Sequence, residues 1–178
     1  MTLKNRLKKL APARILDVVR YPDPLLNTRS AEIDLDDERD LDLLARDMLA
    51  TMRKREGVGL AAIQVGIPKR MLVYDVSENG DDPQVLINPR ITATGDEQVS
   101  FDEGCLSFPG MFAPVIRPDR VTVTATALDG SPLTVTGTGL TARVLQHEID
   151  HLDGVTFITH VDPDARKAAL REYFNLGE

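Results

Sequence analysis

The chain has 178 residues, which suits one domain or a domain with a short appendage. Apolar residues make up 42% and charged residues 28%, a soluble composition with enough apolar mass for one sizeable core. A formal charge of -7 argues against broad binding to DNA or anionic membranes, and no run approaches the roughly 20 apolar residues of a membrane span. The single cysteine, Cys105, excludes an intrachain disulfide and fits a reducing, cytoplasmic setting.

In chain order, the first ten residues are basic but lack the apolar core and small-residue cleavage site of a secretory signal. They are expected to be a solvated extension whose Lys4, Arg6, Lys8 and Lys9 could meet RNA phosphates. Tyr21-Pro22-Asp23-Pro24 predicts an extended or turning segment. A helix follows, opened by Asp36, Asp37 and Glu38, with Leu41, Leu44, Met48, Leu49 and Met52 at helical spacing. Arg53, Lys54 and Arg55 complement its C-terminal dipole, and Gly57 is the expected C-cap.

Strands are expected next, over Met71–Tyr74 and Val85–Ile87, each ended by Asp, Gly or Pro. Val121 to Ala127 alternates Val or Ala with Thr, Asp129-Gly130 makes a turn, and Leu133-Thr134-Val135 returns. A second helix is expected from about Leu140 to Leu152. Asp162-Pro163 starts a third helix, as N-cap and first helical residue. Strands gathered between helices, without strand–helix alternation, predict an α+β fold.

The second helix contains His147-Glu148-Ile149-Asp150-His151, the pattern H-E-x-x-H. Residues four apart share one helix face, about 6 Å apart along the axis, so both imidazoles can converge on one ion. Glu148 stands about 100° around the helix, beside the ion rather than bound to it. There a carboxylate can take a proton from an activated water and hand it to a leaving group. Chance spacing is the plain alternative, but two of only three histidines fall here around a glutamate.

A third protein ligand is needed. In H-E-x-x-H-x-x-G-x-x-H the last histidine would provide it, but Phe157 occupies that position and cannot ligate. A downstream acid, as in zinc peptidases, would be Glu172 or Glu178. The other candidate is Cys105, in Glu103-Gly104-Cys105-Leu106-Ser107, whose thiolate suits zinc or ferrous iron. A lone cysteine is more often a small buried hydrophobe. Gly57-Val58-Gly59-Leu60-Ala61-Ala62 matches the dinucleotide fingerprint G-x-G-x-x-A, but an amphipathic helix precedes it where that motif needs a strand. Its small residues instead suit close backbone approach, and Gln64 ends the segment with an uncharged amide donor.

Together these segments resemble the peptide deformylases. The family's motifs G-φ-G-φ-A-A-x-Q, E-G-C-φ-S and Q-H-E-x-D-H-φ-x-G, with φ apolar, stand at 57–64, 103–107 and 146–154. The resemblance covers roughly residues 14–175, which implies a catalytic domain over 14–178 after an extension over 1–13. It implies a single α+β domain, antiparallel or mixed sheets packed around the H-E-x-x-H helix, with a C-terminal helix.

The activity implied is hydrolytic removal of the formyl group from N-terminal formylmethionine of new polypeptides, releasing formate. Cys105, His147 and His151 would bind one divalent ion, ferrous iron in the cell, with zinc, nickel or cobalt as substitutes. Glu148 would be general base and then acid, while Gln64 and the Leu106 backbone N–H would hold the formyl oxygen. Val58, Gly59 and Gly104 would pair with the peptide backbone, and Phe101, Glu103, Val144 and His147 would line the methionine pocket. A cytoplasmic monomer with transient ribosome contact is the expected setting. Phe108, where smaller aliphatics are usual, is expected to alter the pocket rim. The rival readings are a zinc peptidase and a binding module without catalysis. The second would have lost Glu148 or a ligand, and this chain has lost none.

Overall fold

The computed structural model describes residues 7, 10, 12–36 and 40–175. Helix α1 (Leu41–Lys54) turns its periodic apolar residues inward: Leu41, Met48, Leu49 and Met52 are buried in one cluster with Met71, Val73 and Ile87. It begins later than its acidic run suggests. Asp36 lies in a turn braced by Asp34, and Asp37 and Glu38 lie outside the described residues. The C-terminus also differs from expectation. Glu56 takes the left-handed position (φ 59), and the next N–H, of Gly57, reaches back to Met52 O at 2.9 Å. Gly57 instead leaves room for Leu106, whose Cδ1 would stand 2.9 Å from a Cβ at that position.

Among the described residues seven strands follow: β1 (Gly59–Ala61), β2 (Met71–Tyr74), β3 (Gln84–Thr94), β4 (Gln98–Cys105), β5 (Phe108–Pro118), β6 (Arg120–Thr126) and β7 (Pro132–Thr138). Five make an antiparallel sheet in the order β1-β2-β3-β6-β7, and β4 pairs with β5 as a separate hairpin. All four residues of β2 are buried, as a continuous apolar run within a sheet covered on both sides should be. β3 runs on past its apolar stretch, pairing with β6 as far as Thr94 beyond a register shift between Ile87 and Arg90. Asn88 sits in that shift at φ 51, and its amide bonds both backbone groups of Ile33 at 2.9 Å.

The second helix, α2 (Gly139–Leu152), runs between sheet and hairpin, buried along most of its length. Ala142, Leu145, Ile149 and Leu152 meet Leu72, Leu86, Val121 and Val123 of the sheet. Its end is capped twice. Buried Arg70 donates to Leu152 O and to Asp153 Oδ1, and Gly154 (φ 76) lets the Val155 N–H return to Asp150 O. The last helix, α3 (Pro163–Asn175), starts as expected, with Asp162 Oδ1 accepting from the N–H groups of Asp164 and Ala165. It packs on β5.

Two expectations are refined here. Phe108 is fully buried, stacked on Tyr21 at 4.7 Å and edge-on to Phe157 at 5.3 Å, so its ring belongs to a core while still contributing to the lining of the cleft described below. Its size is used by the aromatic cluster under α3. Leu7, within the expected solvated extension, is half-buried against the core under α1. Lys4, Arg6, Lys8 and Lys9 lie outside the described residues. Among the described residues no helix is long and apolar enough to cross a membrane.

Candidate metal centre

His147 and His151 project from one face of α2, with ring centroids 4.9 Å apart. Cys105 is the last residue of β4, and the two-residue turn Leu106-Ser107 then leads into β5. The hairpin sets the thiol against the helix, with Sγ 3.2 Å from His151 Nε2. One ligand atom from each of Cys105, His147 and His151 lies within 4.8 Å of the others. Glu172 is exposed on α3 and is not part of this group, while Glu178 lies outside the described residues. Phe157 lies nearly parallel to the His147 ring at 5.9 Å, so the position that disqualified one ligand supports another.

The surroundings suit a cation. Glu103 Oε2 meets His147 Nδ1 at 2.9 Å, which orients the ring and leaves Nε2 for an ion. Burial would raise the Glu103 carboxyl, but hydrogen bonds from His147 and Arg117 hold it well below the usual carboxylate range. Burial also opposes charge on His147, yet Cys105 and Glu103 raise its pKa well above the ordinary imidazole value. A metal ion among the thiolate and the rings would take the place of that proton. His151 is pushed well below its ordinary value by burial, then by His147 and Arg117, which keeps a nitrogen lone pair free to ligate. A soft thiolate with two imidazoles fits zinc or ferrous iron.

Glu148 lies beside the donors. Burial pushes its carboxyl up to about 7, and its Oε2 meets no hydrogen-bond partner among the described residues. It can approach β1 because residue 59 is glycine: a Cβ there would stand 2.5 Å from Glu148 Oε1. Gln64, buried in the 3-10 turn Ala62–Val65, has a fixed amide. Its Oε1 accepts from the Ala61 N–H at 2.9 Å, so its Nε2 points to Ser107 Oγ (3.2 Å) and Cys105 Sγ (3.4 Å).

A cavity of about 610 Å³ opens over the centre. Its lining includes Val58, Gly59, Gln64, Phe101, Gly104, Leu106, Val144, His147 and Glu148, so residues from all three motifs share one cleft. Phe101 and Val58 are exposed, and Val144 is buried in the wall. Gly104 makes room for Phe112, whose ring would lie 2.4 Å from a Cβ at that position. Glu103 also lines the cleft, but its carboxylate is taken up by Arg117 (2.6 and 3.1 Å), Arg143 (3.0 Å) and His147. It therefore braces the wall more than it offers a side chain to a ligand.

Arg117 and Arg143 lie outside the functional motifs. For Arg143 a signal exists: it interrupts the apolar run of the helix one turn before His147, on the same face. Arg117 has none, because only strand pairing brings it to Glu103.

A cysteine sulfur and a helical H-E-x-x-H gathered at the floor of a cleft are the donor set of a metal-dependent hydrolase. The polypeptide deformylase family profile matches residues 15–167. The chain is 45% identical over 161 residues to the peptide deformylase of Agrobacterium fabrum (strain C58), spanning 89% of this chain and 94% of that protein. It is 41% identical over 165 residues to that of Aquifex aeolicus (strain VF5), spanning 91% and 96%. A crystal structure of a Legionella pneumophila peptide deformylase superposes with a TM-score of 0.85 at 38% identity, covering 92% of this chain and 95% of that one. One from Ehrlichia chaffeensis, in complex with actinonin, gives 0.85 at 36% identity, covering 91% and 97%. The chain belongs to the polypeptide deformylase family.

Proposed function

We propose that Cys105, His147 and His151 hold one divalent ion and that Glu148 moves the protons of the hydrolysis this family performs. The reaction removes the N-formyl group from the N-terminal formylmethionine of newly made polypeptides and releases formate. The observation that carries the reading is the convergence of three ligand atoms within 4.8 Å at the floor of a cleft, beside a buried carboxylate.

When bound, such an ion supplies Lewis acidity and draws the pKa of a water toward neutrality. Glu148 accepts the proton of the attacking water and delivers it to the leaving amine, a role suited to a carboxyl whose burial moves it to about 7. Gln64 Nε2 and the Leu106 N–H donate to the formyl oxygen as charge develops on it. Val58, Gly59 and Gly104 pair with the peptide backbone. Phe101 and Val144 bound the methionine pocket with His147, and Glu103 holds that ring in place.

The resident ion is ferrous iron, replaceable by zinc, nickel or cobalt. The protein acts as a cytoplasmic monomer on chains at the ribosome, which residues 1–13 could contact through their basic side chains.

The ligand assignment is tested with cobalt. The substituted protein should show a sulfur-to-cobalt charge-transfer band that Cys105→Ser lacks, with metal affinity and activity lost together. Equal cobalt binding by both proteins with no such band would make the third ligand something other than sulfur. Formate release from a formyl-Met peptide by anaerobically prepared protein, with the metal assayed alongside, tests the resident ion.

A further inference from the structure

Arg143 interrupts the apolar run Ala142-Val144-Leu145 of the central helix and is only 9% exposed. A buried guanidinium persists only where it is paired and hydrogen-bonded. Its partners all lie on the β4–β5 hairpin. Nη1 donates to Glu103 Oε1 (3.0 Å) and Val115 O (2.9 Å), and Nη2 donates to Val99 O (2.7 Å). One side chain of α2 therefore grips both strands of the hairpin and the carboxylate that orients His147.

The two elements joined in this way carry different ligands. α2 carries His147 and His151, while Cys105 ends β4, two residues beyond Glu103. How far the sulfur stands from the rings depends on how the hairpin sits on the helix. Arg117 also holds Glu103, but from β5, so that grip closes within the hairpin. Its link to α2 runs through Asp150 at 2.7 Å, a carboxylate shared with the partly exposed His160. Arg143 holds Glu103 from the helix side, one turn ahead of His147.

We propose that Arg143 is a positioning residue for the metal centre. Acting through Glu103, it sets the hairpin's cysteine against the helix's histidines. The proposal rests on the reading of Cys105, His147 and His151 as ligands. Arg143→Met keeps most of the apolar stem and removes the fork. Arg143→Lys restores a charge, but a single ammonium cannot reproduce the fork's geometry at three acceptors.

The test follows loss of cobalt from loaded wild type, Arg143→Met, Arg143→Lys, Glu103→Gln and the Arg143→Met/Glu103→Gln double variant. The readouts are the rate of cobalt release to excess chelator, followed by absorption, the thermal midpoint, and kcat and KM on a formyl-Met peptide. Release from Arg143→Met should be about 10–100-fold faster than from wild type, the usual effect of losing a group that orients a metal ligand. Arg143→Lys should fall between, and kcat should drop more than KM rises. In the Glu103→Gln background Arg143→Met should add little, because its route to His147 is already weakened. A lowered thermal midpoint with wild-type release rates, or effects that multiply in the double variant, would overturn the proposal. If Arg143→Met does not fold, Arg143→Lys carries the same comparison. Failure of wild type to show the thiolate–cobalt band would instead overturn the ligand assignment, and this proposal with it.

Discussion

In the proposed mechanism two side chains at the centre divide the chemistry between proton transfer and charge stabilisation, and each predicts a different kinetic signature. Glu148 lies outside the proposed ligand set, so Glu148→Gln should retain the metal while kcat falls about 10²–10⁴-fold, the usual scale of general acid–base catalysis. Metal content and turnover measured on the same preparation check this, and near-wild-type turnover removes Glu148 from the mechanism. Gln64 is held by the Ala61 N–H with its amide nitrogen facing Cys105 and Ser107. Its donor is set before substrate arrives, so its benefit should appear mainly as charge develops on the formyl oxygen. Gln64→Ala should lose about 2.7–4 kcal/mol of transition-state stabilisation, mostly in kcat. A pure KM effect would mean the amide only binds the ground state.

At the scale of elements, the helix that carries H-E-x-x-H depends on how it ends. Gly154 has φ 76, and a Cβ there would stand 2.8 Å from Asn27 O, a backbone atom that cannot swing aside. Gly80 also has positive φ (62), but nothing lies within 4 Å of its Cβ position. Gly80→Ala should therefore cost only the left-handed penalty of about 1–2 kcal/mol. Gly154→Ala should cost clearly more, and each kcal/mol should lower the thermal midpoint by about 2–4 °C in a chain of this length. Equal midpoints for the two variants would show that the approach of the segment at Asn27 is not a constraint. The last glycine of the third motif is thus explained by packing, not by chemistry.

For the whole molecule, the N-terminal approach is tied to α1 through a buried carboxylate. Asp47 accepts from the Arg14 N–H (3.0 Å), the Arg14 guanidinium and the Arg46 guanidinium, and next to it Thr51 Oγ1 accepts from the Leu16 N–H at 2.8 Å. Burial would raise the Asp47 carboxyl, but the Arg14 N–H and the two guanidiniums lower it below its ordinary 3.8. A depressed pKa means stability fully present above 3.8 and lost as pH falls toward the folded value. Denaturant unfolding of wild type and Asp47→Asn across pH should show wild type ahead at neutral pH and the gap closing below about 3.8. A gap independent of pH would mean that the charge on Asp47 does not contribute.

The local pattern alone was enough for α1's apolar face, the β2 run, the β6–β7 hairpin, the start of α3 and the placing of H-E-x-x-H on a helix. Each rests on a period or a cap read within one segment. The three motifs also sufficed for the resemblance to the family that the profile and the relatives then showed. Contacts between distant segments were not readable in this way. Phe108 and Glu103 both line the cleft, but nothing local shows that Tyr21 and Phe157 enclose the ring or that two arginines and a histidine claim the carboxylate. Whether Cys105 is a buried hydrophobe or a ligand is undecidable locally, because a thiol's role depends on which groups lie around it. That is set by the hairpin's seat on α2, where Arg143 and Arg117 bond residues up to 44 positions away. Periodicity along the chain determines the elements, whereas these partnerships arise only once strand pairing and helix packing bring remote backbone and charge together.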